Sequence, residues 1–370
     1  MLKSQAWKWV KRKLKMMRLN QAFKEPYKRI EGLSNFENQK VAKLNLNENF
    51  FIPREKLFEL IIEALEDLDP RLYPQDEGET LRDKISEYVD FPADNIVIGN
   101  GGDELLERIA HLFLEKGEQA ITISPTFSTY RFAVNLQRAK LIEVPLREDF
   151  SLDVDGLLSN VTPKTKVLFL CSPNNPTANQ FEIDEITFIS ESFPGVVVVD
   201  EAYVEFADYS AAPLIKKYEN LIVVRTFSKA FGLAGLRLGY CIADTEIARV
   251  LSEGVSPPFP VNMVSLKVGA KILENIALFK EAVLKIRKER EKLVKALNDI
   301  NGVKAFDSKT NFVLFKTEKP LDDVYNSLLQ RRVIVRKIGD VLGFQNCLRA
   351  TVGLPWMNAK LIDALREICS

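Results

Sequence analysis

Apolar residues at Leu57, Leu60, Ile61, Ala64, Leu65 and Leu68 repeat with a 3.6-residue period. This predicts a helix that begins near residue 55 and ends at Asp69-Pro70, since the residue before a proline resists helical geometry. Short apolar runs then alternate with helical patterns. The runs at 95–98, 120–124, 140–144, 166–171, 196–200, 221–225 and 238–243 predict strands, and helical periods at 103–115, 127–137 and 182–192 fall between them. Val196-Val197-Val198-Val199 is apolar without alternation, as a strand buried on both faces should be. The expected class is α/β: a large domain with a mostly parallel wound sheet between helices, and ligands at the strands' carboxyl ends.

Pro257, Pro258 and Pro260 interrupt this alternation. Beyond them come a helical stretch over 262–298 rich in lysine and glutamate, short strands at 311–315, 333–335 and 347–351, and a terminal helix from about residue 358. That texture predicts a smaller α+β domain. At 370 residues the chain exceeds the size at which one core stops growing. The expected division is a large domain at 57–262, a small domain formed by 30–56 with 263–370, and a basic arm at 1–29. Within the arm, up to Arg18, Trp7, Trp9, Val10, Leu14 and Met17 are mixed with lysine and arginine and no acid. Such a segment suits a membrane-surface helix or a transit-like leader. The reading adopted is an arm packed on a partner subunit, or an extension the fold does not need.

Lysine plus arginine balance aspartate plus glutamate at 51 each, which argues against a nucleic-acid partner and for small-molecule substrates. The single histidine, His111, sits in a helical pattern and leaves no basis for histidine triads or multi-histidine metal sites. Cys171, Cys241, Cys347 and Cys369 are far apart and form no C-x-x-C pair. They read as buried thiols of a reducing, cytoplasmic compartment, not as metal ligands. No apolar run reaches the roughly 18–20 residues of a membrane span, so no integral membrane segment is expected.

Five polar clusters follow predicted strands. Gly99-Asn100-Gly101-Gly102-Asp103-Glu104 opens a helix whose free N–H groups suit a phosphate, although an ordinary turn and cap would look the same. Ser172-Pro173-Asn174-Asn175-Pro176-Thr177 is either a tight turn or a loop that aims Asn175 at an anionic ring oxygen. Asp200 ends the valine strand, with Tyr203 close behind. A carboxylate there needs a hydrogen bond or a cation, and a protonated pyridine nitrogen would serve. Thr226, Ser228 and Arg237 offer two hydroxyls and a guanidinium fork suited to a phosphate dianion, and they flank Lys229. Desolvation and the arginine should lower the proton affinity of that lysine, as Schiff-base formation requires. Arg349, with Arg336 upstream, lies on an otherwise apolar strand and suits either bidentate capture of a carboxylate or a salt bridge.

From about residue 26 onward the chain resembles the fold type I, pyridoxal 5′-phosphate (PLP) dependent aminotransferases of class I/II, and among them the histidinol-phosphate aminotransferases. The resemblance rests on Ser228-Lys229-Ala230-Phe231-Gly232-Leu233-Ala234-Gly235-Leu236-Arg237-Leu238-Gly239-Tyr240, on the loop at 172–177, and on Asp200-Glu201-Ala202-Tyr203. Leu46-Asn47-Glu48-Asn49, Tyr73-Pro74 and Leu348-Arg349-Ala350-Thr351-Val352-Gly353 add subfamily character. It implies ping-pong exchange of an amino group between an amino donor and a 2-oxo acid, here L-histidinol phosphate and 2-oxoglutarate in histidine biosynthesis. It makes Lys229 the Schiff-base lysine and the base that moves the Cα proton, pairs Asp200 with the pyridine nitrogen, and directs Asn175 and Tyr203 to the phenolic oxygen. Gly102, Asp103, Thr226, Ser228 and Arg237 would hold the phosphate, and Phe127 would stack on the ring. Tyr73 would reach the neighbouring subunit's cofactor, which implies a homodimer with composite sites. Arg349 would bind the substrate carboxylate or its equivalent, Asn47 belongs to the substrate-binding set, and Arg336 is a candidate for a side-chain phosphate. No metal is implied.

Three positions depart from the family pattern: Ala178 replaces the glycine after Asn-Pro-Thr, Phe50 the proline after Asn-Glu-Asn, and Phe127 the stacking tyrosine. Phe127 keeps the π-face, and the other two bear on specificity. An aminotransferase for aromatic or other amino acids, and a PLP-dependent decarboxylase of the threonine-phosphate type, use the same lysine. They differ in which Cα bond stands perpendicular to the ring, so both stay open on sequence grounds.

Overall fold

The computed structural model of the chain describes Lys11 and residues 40–369. The rest of the basic arm at 1–29, and the 30–39 portion of the segment assigned to the small domain, lie outside the described residues. The strands in chain order are β1 (Ala42–Lys43), β2 (Ile96–Gly99), β3 (Gln119–Ser124), β4 (Lys140–Pro145), β5 (Thr165–Cys171), β6 (Val196–Asp200), β7 (Leu221–Thr226) and β8 (Gly239–Ile242). They are followed by β9 (Val303–Ala305), β10 (Phe312–Thr317), β11 (Val333–Ile334), β12 (Arg336–Val341) and β13 (Phe344–Thr351). The helices are α1 (Arg54–Ala64), α2 (Glu77–Val89), α3 (Gly102–Phe113), α4 (Thr129–Leu136), α5 (Val154–Ser159), α6 (Ile183–Ser192) and α7 (Thr245–Arg249). They continue with α8 (Met263–Glu274), α9 (Ile276–Asn298), α10 (Leu321–Gln330) and α11 (Pro355–Cys369).

β2 to β8 form a seven-stranded sheet in the order β2-β8-β7-β6-β5-β3-β4. All neighbours run parallel except β8, which is antiparallel to both β7 and β2. The unbroken apolar runs have a direct cause. Alternate residues of the central strands feed two separate cores, Leu168, Leu170, Val197, Val199 and Val223 on one face and Val167, Phe169, Val198, Ile222 and Val224 on the other. Each such side chain contributes roughly 1.5–3 kcal/mol on burial, so neither face tolerates a polar residue until the strand reaches its carboxyl end.

A second sheet, in the order β12-β13-β10-β9, is antiparallel throughout. β1 pairs in parallel with β11, Ala42 opposite Val333, which ties the start of the described chain to this later part. The segment from Leu44 to Asn49 then runs from the small sheet toward the large one.

Two local expectations differ from the structure. α1 ends at Ala64, and the turn that follows is tightened by Leu65 N–H to Ile62 O at 3.0 Å and Leu68 N–H to Leu65 O at 3.1 Å. The helix expected over 262–298 is broken at Asn275, whose side chain donates to Lys271 O at 2.9 Å and so competes with the backbone ladder. His111 is exposed in the last turn of α3, with Nδ1 3.1 Å from Gln137 Oε1. All four cysteines are free; Cys369 is half-buried and the other three are buried. Among the described residues no helix is long and apolar enough to cross a membrane.

Candidate active site

The carboxyl ends of β2, β3, β5, β6 and β7 meet the Leu46–Glu48 segment and Arg349 of β13 around a cavity of about 370 Å³. Every site residue expected from the sequence lines it except Tyr73 and Arg336. Tyr73 is 72% exposed and stacks on Phe259 with ring centroids 5.0 Å apart. Arg336 is half-buried and lies directly across the β12–β13 pair from Arg349, so both side chains belong to one face of the small sheet.

At one end of the cavity stands Asp200, 4% exposed at the close of β6. Burial pushes its carboxyl up to about 6. Its two oxygens are held by Tyr130 O–H at 2.8 Å and by Ala202 N–H at 3.1 Å. Tyr130 had no place in the sequence reading. It sits in an apolar helical pattern, three residues after Phe127, and nothing in its neighbours marks it as polar machinery.

At the other end, α3 begins at Gly102 without a side-chain cap, which leaves its first N–H groups facing the cavity. Gly101 adopts φ +90°, and a Cβ on it would fall 2.8 Å from Arg237 Nη2. A Cβ on Gly239 would fall 2.7 Å from Gly101 C and Gly102 N, so β8 packs directly against this turn. Arg237 donates to Asp103 Oδ2 at 2.9 Å and to Ser228 Oγ at 3.4 Å. Thr226 Oγ1 lies 3.0 Å from Ser228 Oγ and accepts Ser228 N–H at 3.1 Å. The fork, two hydroxyls and a helix start therefore share one end of the cavity, an arrangement suited to an anion.

Lys229, just after β7, lines the same cavity, its Nζ donating to Leu46 O at 3.0 Å. Burial, then the positive charges of Arg349 and Arg237, hold its amine down to about 8, against the opposing pull of Asp103 and Glu48. At the mouth, Arg349 donates to Asn175 Oδ1 at 2.5 Å and Asn45 O at 3.0 Å, with its guanidinium 5.0 Å from the Phe312 ring centre. Asn47 Nδ2 donates to the Tyr203 hydroxyl at 2.9 Å, while Asn47 N–H donates to Thr351 Oγ1 at 2.9 Å. Asn47 has φ +57°, a conformation that asparagine tolerates better than most residues. The buried pair Arg225–Glu201, 2.9 Å apart, joins the ends of β7 and β6; nothing local in the sequence marks Glu201 as that partner.

Set beside known proteins, residues 39–366 match the family model of aminotransferase class I and II. The chain belongs to the class I and II aminotransferases. Among curated members, it is 39% identical over 345 residues to a histidinol-phosphate aminotransferase of Caldanaerobacter subterraneus subsp. tengcongensis, covering 92% of this chain and 97% of that one. It is 36% identical to one of Pyrococcus furiosus, covering 93% and 95%. A solved histidinol-phosphate aminotransferase from Sinorhizobium meliloti, in complex with pyridoxal 5′-phosphate, superposes with a TM-score of 0.82 at 26% identity, over 92% of this chain and 95% of that one. In this aminotransferase the alanine at 178 is fully buried with φ +68°, a left-handed conformation that explains why glycine suits the position.

Proposed function

We propose that the chain transfers the amino group of L-histidinol phosphate to 2-oxoglutarate, giving imidazole acetol phosphate and L-glutamate, with PLP as its cofactor. One observation carries the chemistry: an amine of lowered proton affinity, Lys229, lines one cavity with a buried carboxylate and a set of anion-binding groups. The choice of substrate is supported by curated relatives of that name, 34–39% identical to this chain.

The residues present fit PLP. The Asp200 carboxylate has about four acceptor positions, of which the chain's own donors use two, and a buried carboxylate is stabilised by a cation at the rest. The opposite end offers Arg237, Ser228, Thr226 and the α3 N–H groups to a phosphate. Asp103 anchors the Arg237 fork through its side chain and presents its own N–H at the helix start. Phe127 contributes a ring face between them.

Bound PLP supplies an electron sink for the charge left when a substrate Cα loses its proton. Lys229 Nζ takes that proton and returns it, and an amine near neutral proton affinity serves both directions. Asn175 has its carbonyl oxygen occupied by Arg349, which leaves its amide N–H groups to donate; Tyr203 accepts from Asn47 and keeps its own O–H to give. Arg349 captures the carboxylate of glutamate or 2-oxoglutarate, and Arg336, on the same sheet face, serves the substrate phosphate.

The working form is a cytoplasmic homodimer in which Tyr73 reaches the partner's site. The exposed Tyr73–Phe259 stack, with Leu72 60% exposed beside it in sequence, supplies apolar surface for that contact, and four free thiols suit a reducing compartment.

A panel of amino donors assayed with 2-oxoglutarate tests the reading. L-histidinol phosphate should give the highest kcat/KM. Preference for an aromatic amino acid reassigns the substrate, and CO₂ from L-threonine O-phosphate without keto product replaces transamination with decarboxylation.

A further inference from the structure

We infer that Tyr130 is a positioning residue of this site: its hydroxyl keeps the Asp200 carboxylate charged toward the cavity, and its ring holds Phe127 in place. The inference rests on the PLP reading and adds a residue that the family motifs quoted above do not contain. Tyr130 does not line the cavity, so it acts only through the two residues that do.

Tyr130 is fully buried, and its O–H has Asp200 Oδ2 at 2.8 Å as its acceptor. An unmet hydroxyl there would be costly, and Asp200 is the acceptor that meets it. Burial and the neighbouring Asp200 charge both push the phenol well above its ordinary value, whereas Asp200 itself rises only to about 6. At neutral pH the proton therefore stays on the phenol oxygen, Tyr130 is the donor and Asp200 the acceptor. Without that donor, burial would act on the carboxyl with only the Ala202 N–H to oppose it. Asp200 would keep its own proton closer to neutrality and offer a pyridinium an O–H in place of a charge.

Tyr130 lies nearly parallel to Phe169 of β5, centroids 5.2 Å apart and planes at 8°. That contact fixes the ring against the large sheet. Phe127 then meets Tyr130 edge-on, at 5.9 Å and 88°. Phe127 lies just before α4 and Tyr130 in its first turn, and Tyr130 N–H donates to Phe127 O at 3.4 Å, which holds the two close. One side chain thus supports the group for the pyridine nitrogen and the group for the ring face.

The test is the PLP dissociation constant, measured by equilibrium dialysis from pH 4.5 to 9, for the parent, for Tyr130→Phe, and for protein carrying 3,5-difluorotyrosine at 130. The parent should lose affinity as pH falls through about 6. Tyr130→Phe, which keeps the ring, should move that midpoint up by about one pH unit, because a hydrogen bond to a charged acceptor is worth roughly that much. Difluorotyrosine is a stronger donor of nearly the same shape and should move it down. Opposite shifts are the signature of the hydrogen bond, since a merely structural disturbance would move both the same way. A Tyr130→Phe profile superimposed on the parent's, or two shifts of one sign, overturns the inference. If Tyr130→Phe does not fold, the fluorinated protein decides alone, and no shift overturns it. A parent that binds no PLP at any pH takes down the PLP reading along with it, an outcome distinct from the other two.

Discussion

Arg349 Nη1 donates to Asn175 Oδ1 at 2.5 Å, joining the small antiparallel sheet to the loop that follows β5 of the large one. The group placed for a substrate carboxylate and the group placed for a ring oxygen are thereby one hydrogen-bonded unit. Replacing Arg349 by Met should raise KM for glutamate and 2-oxoglutarate by about 10–100-fold, the worth of a charge-assisted bidentate contact. Arg349→Lys should restore only part of this, because a point charge cannot reach both the substrate and Asn175. Steady-state kinetics with each substrate varied in turn checks both.

The lowered proton affinity of Lys229 predicts selective chemistry in the cofactor-free protein. At pH 7 an amine at about 8 is roughly one-tenth unprotonated, against less than a thousandth for an ordinary lysine. Brief exposure to an amine-acylating reagent, followed by peptide mass mapping, should modify Lys229 with an inflection near pH 8. The exposed lysines should follow at much higher pH.

The strands' positions and the cavity's two ends were legible because they rest on strong local patterns. Uninterrupted valines need burial on both faces, and a carboxylate at their end needs a partner. Tyr130 was not legible, since a tyrosine inside an apolar helical period reads as core until the Asp200 oxygen is found 2.8 Å away. The hydrogen bonds that a buried Asp200 needs come from a phenol and a backbone N–H, neither of which has a local signature. The break at Asn275 was missed because the apolar period continues on both sides of it. The left-handed turn at Asn47, which brings its side chain to Tyr203 across 156 positions of sequence, is set by the small sheet and has no local signature.

Asp200 should make the cofactor-free protein less stable as pH rises. Its folded-state proton affinity is raised, to about 6, so its favourable contribution is complete below about pH 4 and is lost as pH climbs through about 6. Asp200→Asn should therefore stabilise the cofactor-free chain at pH 8 by about 2–3 kcal/mol, with the gain shrinking toward pH 5. The same change should weaken PLP binding. Urea unfolding at the two pH values, with PLP affinity measured in parallel, checks the opposed effects.

Backbone fit gives two substitutions of opposite sign. Ala178→Gly should raise stability by about 1 kcal/mol by removing the left-handed alanine at φ +68°. Gly239→Ala places a Cβ 2.7 Å from the Gly101–Gly102 backbone and 2.9 Å from Arg225 O, atoms that cannot swing aside, and should cost roughly 2–4 kcal/mol along with the anion-binding end. Gly117→Ala serves as the control for space: φ is +91° there, but nothing lies within 4 Å of the added Cβ, so stability falls slightly and PLP affinity is unchanged. Thermal unfolding and PLP titration separate the three.

Lys229 is the residue proposed to carry the cofactor. Protein loaded with PLP, reduced with borohydride, digested and mapped by mass spectrometry should yield one phosphopyridoxyl peptide, modified at Lys229. Modification spread over exposed lysines, or concentrated at any other lysine, would contradict it.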